Sequence, residues 1–135
     1  MQQPHDLVAL VTLLSLAVYA WMIFIVGKAR ETRGVPAPVV SGDEVFERHY
    51  RVQMNTLEGL PVYLPCLWLF SLYWNNLVAA GLGLVWVVGR IVYALAYVKD
   101  PKTRSLGFGL QGVATLALMI GAIVGAARAL IVVGI

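Results

Sequence analysis

Charged residues are scarce in this sequence. Asp, Glu, Lys and Arg make up 13% of the chain, about half of their usual share in a soluble domain. Hydrophobic residues make up 60%, and the mean hydropathy is +0.80. This composition excludes an ordinary soluble domain and predicts an integral membrane protein. The length of 135 residues leaves room for one domain, which we assign to residues 1–135.

Residues that bind metals or form disulfides are also few. The single cysteine, Cys66, excludes an intrachain disulfide and a metal cluster of cysteines. Because Cys66 lies in an apolar segment, we interpret it as a small buried residue rather than a catalytic thiol. His5 and His49 have no partner at metal-ligand spacing, so we predict that both face solvent and that no metal is bound. The basic residues lie between apolar segments, so the net charge of +3 does not indicate a nucleic-acid partner.

Long apolar segments define the fold class. Segments of this length and apolarity can cross the hydrocarbon core of a bilayer as helices. The predicted helices are Leu7–Val26, Asp43–Trp74, Leu77–Val98 and Pro101–Val133. Pro61 and Pro65 lie inside the second helix, where neighbouring helices can satisfy the freed backbone groups. Gly121, Gly125 and Ala129 recur every four residues in the fourth helix, and such a stripe lets another helix approach closely. The sequence therefore predicts an all-α, integral membrane four-helix bundle.

Turn and capping residues mark the helix ends. The segment Gly34–Val40 contains glycine and two prolines and is predicted to be a loop. Ser41 and Glu44 have the spacing of a capping box, which predicts the start of the second helix. Asp100 followed by Pro101 is a typical helix start, so we place the fourth helix directly after Asp100.

Basic residues predict the orientation of the chain in the membrane. Those near the first connection are Lys28, Arg30, Arg33, Arg48 and Arg51, and those near the third are Lys99, Lys102 and Arg104. The turn at Asn75-Asn76 carries no charge, and Arg128 alone is basic near the opposite face. By the positive-inside rule, loops 1 and 3 are cytoplasmic and both termini lie on the opposite side. The membrane would be a bacterial inner membrane or the endoplasmic reticulum, depending on the organism.

A dense polar run at residues 47–58 leads directly into an apolar segment. On a helix, Arg51, Asn55 and Glu58 share one face, because they are spaced i, i+4 and i+7. Glu47 precedes Arg51 by four residues, which is the favourable order for an ion pair. Charges at the edge of a bilayer usually face a bundle interior or a wet cavity. We interpret this face as half of a binding site for a small, charged, peptide-like ligand. The alternative is a helix start whose charges stay in water.

Two further polar groups are predicted on the same side of the membrane. Arg90, Tyr93 and Tyr97 are spaced i, i+3 and i+7 on the third helix, and Arg104 falls in the first turn of the predicted fourth helix. Guanidinium groups bind carboxylates, amides bind peptide groups, and a carboxylate binds an ammonium group. The alternatives are that the tyrosines anchor the helix at the interface, that Arg90 pairs with Glu58, and that Arg104 only marks the membrane boundary.

The polar motifs resemble those of a known family. The pattern Glu-Arg-x-x-Arg-x-Gln-x-Asn-x-x-Glu at residues 47–58, followed by Pro61, resembles the signature of the MAPEG superfamily, the membrane-associated proteins of eicosanoid and glutathione metabolism. Gly89-Arg90-x-x-Tyr93-x-x-x-Tyr97 resembles the third-helix motif of that family. The resemblance covers nearly the whole chain. It is strongest to the group of the leukotriene-C synthases, microsomal glutathione transferase type II and the five-lipoxygenase-activating protein.

The resemblance implies a homotrimer that binds glutathione as co-substrate between adjacent subunits. The residues implied to hold glutathione from one subunit are Arg51, Asn55, Glu58, Tyr93, Tyr97 and Arg104. Arg30 and Gln53 would reach it from the neighbouring subunit. Arg104 matches the arginine that is thought to activate the thiol. The implied function is a membrane-bound glutathione transferase or peroxidase that acts on lipophilic electrophiles from the bilayer, as in detoxification.

Two positions depart from the pattern of the leukotriene-C synthases. Gly59 stands where those proteins carry an aromatic residue, and Leu116 stands where they place a tryptophan over the lipid. Gly59 implies that one contact to the peptide is missing, and the absence of the tryptophan argues against a leukotriene substrate. The alternative function is a non-catalytic lipid-binding scaffold of the five-lipoxygenase-activating-protein type. A small four-span drug exporter is disfavoured, because Leu7–Val26 has no carboxylate.

Overall fold

The computed structural model describes residues 5–134, and all of its regular elements are helical. The four long helices are α1 (Asp6–Arg33), α2 (Glu44–Tyr73), α3 (Asn76–Lys99) and α4 (Ser105–Val133). One turn of 3-10 helix, Pro101–Thr103, stands between α3 and α4. This architecture confirms the predicted all-α four-helix bundle.

The start of the fourth helix differs from the prediction. Asp100 caps the 3-10 turn, where its side chain accepts a hydrogen bond from Lys102 N at 3.1 Å. The α-helix itself begins one turn later, at Ser105. Arg104 is therefore the N-cap residue of α4 and does not lie in its first turn. The Asp-Pro signal was correct as a helix start, but it opens a short turn of a different helix type.

The connection between α1 and α2 ends with a cap that the sequence analysis missed. Gly34 ends α1 in the left-handed conformation, with φ of 67°, which favours glycine. Asp43, rather than Ser41, is the N-cap residue of α2, and its carboxylate accepts a hydrogen bond from Phe46 N at 2.9 Å. The same carboxylate pairs with Arg33 at 3.0 Å. The Arg33 guanidinium therefore holds the pKa of Asp43 below its usual value, with the Phe46 amide as a smaller cause.

The core lies where α1, α2 and α3 meet. The rings of Tyr63 and Trp86 stack in parallel, with their centroids 4.0 Å apart. The Tyr63 hydroxyl lies 2.9 Å from Ser15 Oγ, so the one polar atom of this ring has a partner. Gly83 faces this stack, and a Cβ there would lie 3.1 Å from the Tyr63 hydroxyl. The missing side chain lets α3 approach α1 and α2 closely.

Glycines also bring α4 against its neighbours. A Cβ on Gly107 would overlap the Tyr93 backbone and lie 2.6 Å from Gly89 O, so α3 and α4 touch through their backbones. A Cβ on Gly121 would overlap the Phe70 ring, and one on Gly125 would lie 2.5 Å from Tyr73 Cβ. The two glycines of the predicted small-residue stripe therefore pack against α2 of the same chain. This contact confirms the close helix approach. Ala129, the third member of the stripe, is exposed.

Three of the four described helices are long and apolar enough to cross a membrane. They are α1, α3 and α4. The second helix does not meet this criterion, because its first half carries the dense polar run and only its second half is apolar. Many apolar side chains on the outer face of α4 are exposed, including Val113, Ile123 and Ile131. Such surfaces suit contact with lipid or with another apolar helix.

Both histidines lie differently from the prediction. His5 is half-buried, and its Nδ1 lies 3.1 Å from Asn76 Oδ1 and 3.3 Å from Ser71 Oγ. This contact ties the start of α1 to the turn between α2 and α3. His49 is also half-buried and lines an apolar cavity of about 310 Å³ between α1, α2 and α3. Neither residue is the solvent-facing histidine that its isolated position in the sequence predicted.

Candidate functional site

A cavity of about 610 Å³ lies between α2, α3 and the start of α4. Its lining residues are Arg51, Met54, Asn55, Glu58, Tyr93, Tyr97, Arg104, Ser105, Phe108 and Gly109. The volume falls within the range of roughly 300–1,000 Å³ that is common for small-molecule sites. All six residues predicted to hold a ligand from one subunit therefore lie around one cavity.

Arg48 fixes the position of α2 next to the end of α3. Arg48 donates hydrogen bonds to Val98 O at 3.2 Å and to Lys99 O at 3.3 Å, so it caps the end of α3. Its other Nη pairs with Glu44 at 2.6 Å. These bonds hold the polar face of α2 beside the tyrosines near the end of α3.

The predicted ion pair between Glu47 and Arg51 is absent. Within residues 5–134, the ion pairs on this side are Arg48 with Glu44 and Arg33 with Asp43. Arg51 has no carboxylate partner among the described residues, and it is exposed in the cavity wall. An unpaired guanidinium in a cavity is available to bind a carboxylate of a ligand.

Arg104 reaches the cavity from the junction before α4. Its Nη1 donates a hydrogen bond to Pro101 O at 3.3 Å, and its side chain is exposed. As the N-cap residue, arginine offers no acceptor to the first N–H groups of α4, and no side chain caps them in the described structure. Ser105 in this first turn also lines the cavity. The open helix start and the guanidinium together favour an anion here.

Aromatic side chains form the inner wall of the cavity. The rings of Tyr93 and Tyr97 stack with centroids 5.6 Å apart, and Phe108 of α4 lies 6.3 Å from Tyr93. Tyr93 is buried, whereas Tyr97 is half-buried. Both tyrosines line the cavity, so their predicted contact with a ligand stays a prediction.

Arg90 does not make the pair with Glu58 that was one of the alternatives. Its Nη1 donates a hydrogen bond to Asn55 Oδ1 at 2.7 Å and a longer one to Thr56 Oγ1 at 3.5 Å. Arg90 is 2% exposed and lies under the cavity wall, against the rings of Trp86 and Tyr93. The carboxylate of Glu58 instead stays exposed in the cavity.

Arg30 and Gln53 lie outside the cavity of their own chain. Arg30 donates a hydrogen bond to Val39 O at 2.5 Å, and its guanidinium lies 4.7 Å from the centre of the Phe46 ring. Gln53 lies on another face of α2, with Nε2 3.5 Å from the Tyr19 hydroxyl. Their predicted contact with a ligand thus requires a second copy of the chain and stays a prediction.

Four lining residues were missed by the sequence analysis. They are Met54, Ser105, Phe108 and Gly109. Ser105, Phe108 and Gly109 follow Arg104 at helical spacing, and that periodicity is the signal that could have found them. Met54 lies three residues after Arg51 and four before Glu58, so the same periodicity places it on the polar face of α2.

The two residues that depart from the leukotriene-C synthase pattern line a second, smaller cavity. Gly59 and Leu116 both line a space of about 250 Å³ between α2 and α4. Leu116 is 57% exposed, so this space is at the outer surface of the bundle. The absence of two bulky side chains leaves this part of the surface open.

The fold and the cavity define a class of protein: a small helical membrane protein with a polar ligand cavity near one end of the bundle. The chain matches the MAPEG family over residues 8–124, and it belongs to that family. It is 44% identical over 115 residues to an uncharacterized protein of Synechocystis, with 85% of this chain and 84% of that protein aligned.

Two further relatives have named activities. The chain is 37% identical over 118 residues to microsomal glutathione S-transferase 2 of Homo sapiens, which covers 87% of this chain and 80% of the relative. It is 35% identical over 104 residues to leukotriene C4 synthase of Cavia porcellus, which covers 77% of this chain and 69% of the relative.

Proposed function

We propose that this protein is a membrane-bound glutathione transferase that conjugates glutathione to lipophilic electrophiles. Membership of the MAPEG family and the relative named a microsomal glutathione S-transferase support glutathione-related transferase chemistry in general. The proposal assigns that chemistry to the cavity between α2, α3 and α4. The lining of this cavity is the observation that carries the assignment.

The charges of the cavity match those of glutathione. Two arginines, Arg51 and Arg104, and one carboxylate, Glu58, line the cavity. Glutathione has two carboxylates, one ammonium group and two peptide groups. Arg51 would bind a carboxylate, Glu58 the ammonium group, and Asn55 a peptide or carboxylate oxygen, whereas Arg104 would face the thiol. Tyr93 and Tyr97 add hydroxyl donors, and Arg30 and Gln53 complete the site from a neighbouring subunit.

The chemical step requires a thiolate. A free thiol has a pKa of about 8.5 and is mostly protonated at neutral pH, whereas the thiolate is the nucleophile. Arg104 supplies a fixed positive charge next to the uncapped start of α4. Both favour the anion and would lower the pKa of a thiol bound there. The thiolate then attacks the electrophilic carbon, and the leaving group departs with the electron pair.

The electrophile would come from the bilayer. Apolar side chains are exposed along α4, whose first turn borders the cavity. A lipophilic molecule dissolved in the membrane would thus meet the sulfur at the membrane edge. The distribution of basic residues supports a cytoplasmic position for the cavity and for loops 1 and 3, with both termini on the opposite side.

A conjugation assay tests the proposal. Detergent-purified protein is mixed with glutathione and a generic aryl halide, and formation of the thioether is followed by absorbance. We expect turnover that saturates with glutathione and falls strongly in Glu58→Gln. Arg128→Ala is the matched control, because Arg128 lies beside Trp74 near the other end of the bundle. Tight lipid binding without turnover would support the scaffold function instead. Reduction of a lipid hydroperoxide without conjugation would move the assignment to a peroxidase.

A further inference from the structure

Arg90 is a buried cation without an anionic partner. It is 2% exposed, and among residues 5–134 no carboxylate pairs with it. Its Nε is buried with no hydrogen-bond partner. Removing an unpaired charge from water is costly, so a stable core does not by itself explain an arginine here. The polar contacts of Arg90 run to Asn55 and Thr56, and Asn55 lines the ligand cavity.

The contact with Arg90 fixes which way the Asn55 amide points. An arginine only donates hydrogen bonds, so the atom of Asn55 that faces it at 2.7 Å must be the carbonyl oxygen. The amide is planar, with its oxygen and its NH₂ group on opposite sides. With Oδ1 held by Arg90, the Nδ2 group is directed away from Arg90. Without such a partner, the two orientations of an asparagine amide are close in energy.

We propose that Arg90 is a positioning residue, which fixes the Asn55 amide so that its NH₂ group is offered to the ligand. The site would then accept a carboxylate or peptide oxygen at this position and reject a donor group. This inference rests on the proposed function, because it assigns glutathione as that ligand. Arg90 itself does not line the cavity, so it acts through Asn55.

The surroundings of Arg90 hold its guanidinium in one place. The rings of Tyr93 and Trp86 lie 5.1 and 5.7 Å from its central carbon. Gly59 leaves space beside it, since a Cβ there would lie 3.4 Å from Nη2. The same Nη1 donates to both Asn55 and Thr56, so its two protons have defined directions. A guanidinium held on several sides is suited to orienting another side chain.

The first test separates positioning from a general structural effect. Arg90→Met removes the donor but keeps a long apolar side chain in the core, and Arg90→Lys restores a donor. We expect Arg90→Met to raise the KM for glutathione about tenfold, as for loss of one oriented hydrogen bond. The KM for the electrophile should change little, and Arg90→Lys should recover part of the loss. Equal changes in both KM values, with a lowered melting temperature, would overturn the positioning role.

A double-mutant cycle gives the sharper comparison. If Arg90 acts through Asn55, Arg90→Met should cause no further loss in an Asn55→Ala background. Additive losses in the double variant would overturn the proposal. Asn55→Asp adds a check on polarity, because it keeps an acceptor for Arg90 but removes the NH₂ group. Affinity for glutathione should fall in Asn55→Asp, and an unchanged or tighter affinity would contradict the assigned orientation.

A measurement without ligand keeps this test independent of the proposed function. Asn55, Asn75 and Asn76 are the asparagines of the chain, so selective ¹⁵N-asparagine labelling gives few side-chain signals. The Asn55 signal is identified by its loss in Asn55→Ala. We expect it to shift in Arg90→Met and to return towards its original position in Arg90→Lys. An unchanged signal in Arg90→Met would overturn the positioning role, whereas failure of the wild type to bind glutathione would overturn only the proposed function.

Discussion

Arg51 and Arg104 lie in the same cavity but have different surroundings. Arg51 stands on a continuous helix and has no ion pair among the described residues, so its whole charge is available to a ligand. Arg104 stands at a junction, where it is bonded to Pro101 O and lies next to the uncapped start of α4. These positions suggest that Arg51 binds the ligand and that Arg104 stabilises an anion.

Arg51→Ala should weaken glutathione binding more than the other single changes in the cavity. The substitution leaves a ligand carboxylate without its charged partner. Loss of a hydrogen bond to a charged group costs about 1.5–3 kcal/mol, or roughly ten- to a hundred-fold in affinity. Titration calorimetry on detergent-purified protein measures the change, with Arg128→Ala as the control. An affinity equal to that of the wild type would remove Arg51 from the site.

Arg104→Ala should raise the pKa of bound glutathione thiol towards its value in water. The thiolate loses a fixed positive charge, and a rise of one pKa unit is about 1.4 kcal/mol of lost preference for the anion. The thiol of bound glutathione should have the lower pKa in the wild type, so Arg104→Ala should hold less thiolate and its rate should fall at neutral pH. Part of the lost rate should return as the pH rises and the thiol ionises. Thiolate absorbance followed against pH is the measurement.

The Arg104 prediction separates activation from binding. The dissociation constant for glutathione should change little in Arg104→Ala, and Lys102→Ala serves as a control with a neighbouring charge removed outside the cavity lining. Superimposable thiolate titrations for wild type and Arg104→Ala would end the assignment. Arg104 would then only mark the membrane boundary, and the non-catalytic scaffold would gain support.

Residue spacing predicted six of the residues that line the cavity, but not their contacts. Arg51, Asn55 and Glu58 share a helix face by geometry alone, and the structure places them in one cavity. The partner of Arg90 could not be chosen in the same way, because Asn55 and Glu58 both lie within reach of α3 on that face. The angle and spacing between α2 and α3 decide it, and these depend on Gly83 and the Tyr63–Trp86 stack.

At the scale of the helices, the contact between α3 and α4 positions the cavity. Gly89 and Gly107 bring these helices together through their backbones. Tyr93 stands one turn from Gly89 and Arg104 one turn from Gly107, so the crossing sets the distance between them. The glycine that precedes Arg90 in the third-helix motif therefore has a packing role.

Gly107→Ala should destabilise the protein and weaken glutathione binding together. Its Cβ would overlap the Tyr93 backbone, which cannot move aside as a flexible side chain could. Overpacking of this kind typically costs about 1–3 kcal/mol. Gly112→Ala is the matched control on α4, because no atom lies within 4 Å of its added Cβ. Alanine also favours the helix over glycine by about 1 kcal/mol, so the control should be neutral or stabilised.

Thermal unfolding in detergent, followed by circular dichroism, measures the effect of both glycine variants. A melting temperature of Gly107→Ala at or above that of Gly112→Ala would contradict the backbone contact between α3 and α4. Reduced glutathione affinity in Gly107→Ala alone would confirm that the same crossing positions the site.

Helix existence was easier to predict than helix ends. Apolar segments and turn residues predicted all four long helices, since length and apolarity are read directly from the sequence. The start of α4 was misplaced by about one turn and the N-cap residue of α2 by two residues, because each region offers more than one capping residue. Ser41 and Asp43 compete for the start of α2, and the ion pair with Arg33 favours Asp43. Asp100 caps a 3-10 turn before α4, which the Asp-Pro pair does not distinguish from an α-helix.

At the scale of the whole molecule, the cavity of one chain is open to its surroundings. Arg51, Glu58 and Arg104 are all exposed, so charged groups line an open space near the end of a largely apolar bundle. Charges in such a position usually face a protein interior or a wet cavity. Arg30 and Gln53 do not reach the cavity of their own chain. A symmetric assembly would let these residues close the cavity of the next subunit.

The protein should therefore be a homotrimer with its sites between subunits. Native mass measurement in mild detergent should give three times the 14.7 kDa of one chain.

A mixed assembly tests the shared sites. The Arg51→Ala and Gln53→Ala variants should each be impaired alone, and the two are then co-expressed so that their subunits mix. A site between subunits is intact where an Arg51-bearing chain meets a Gln53-bearing neighbour, which is about one site in four with random mixing. Gln53 is preferred to Arg30, because Arg30 also bonds to the loop at Val39. A monomer at micromolar concentration, or a mixture no more active than its two parents, would contradict the shared site. Recovered activity in the mixture requires that residues from two chains act on one glutathione.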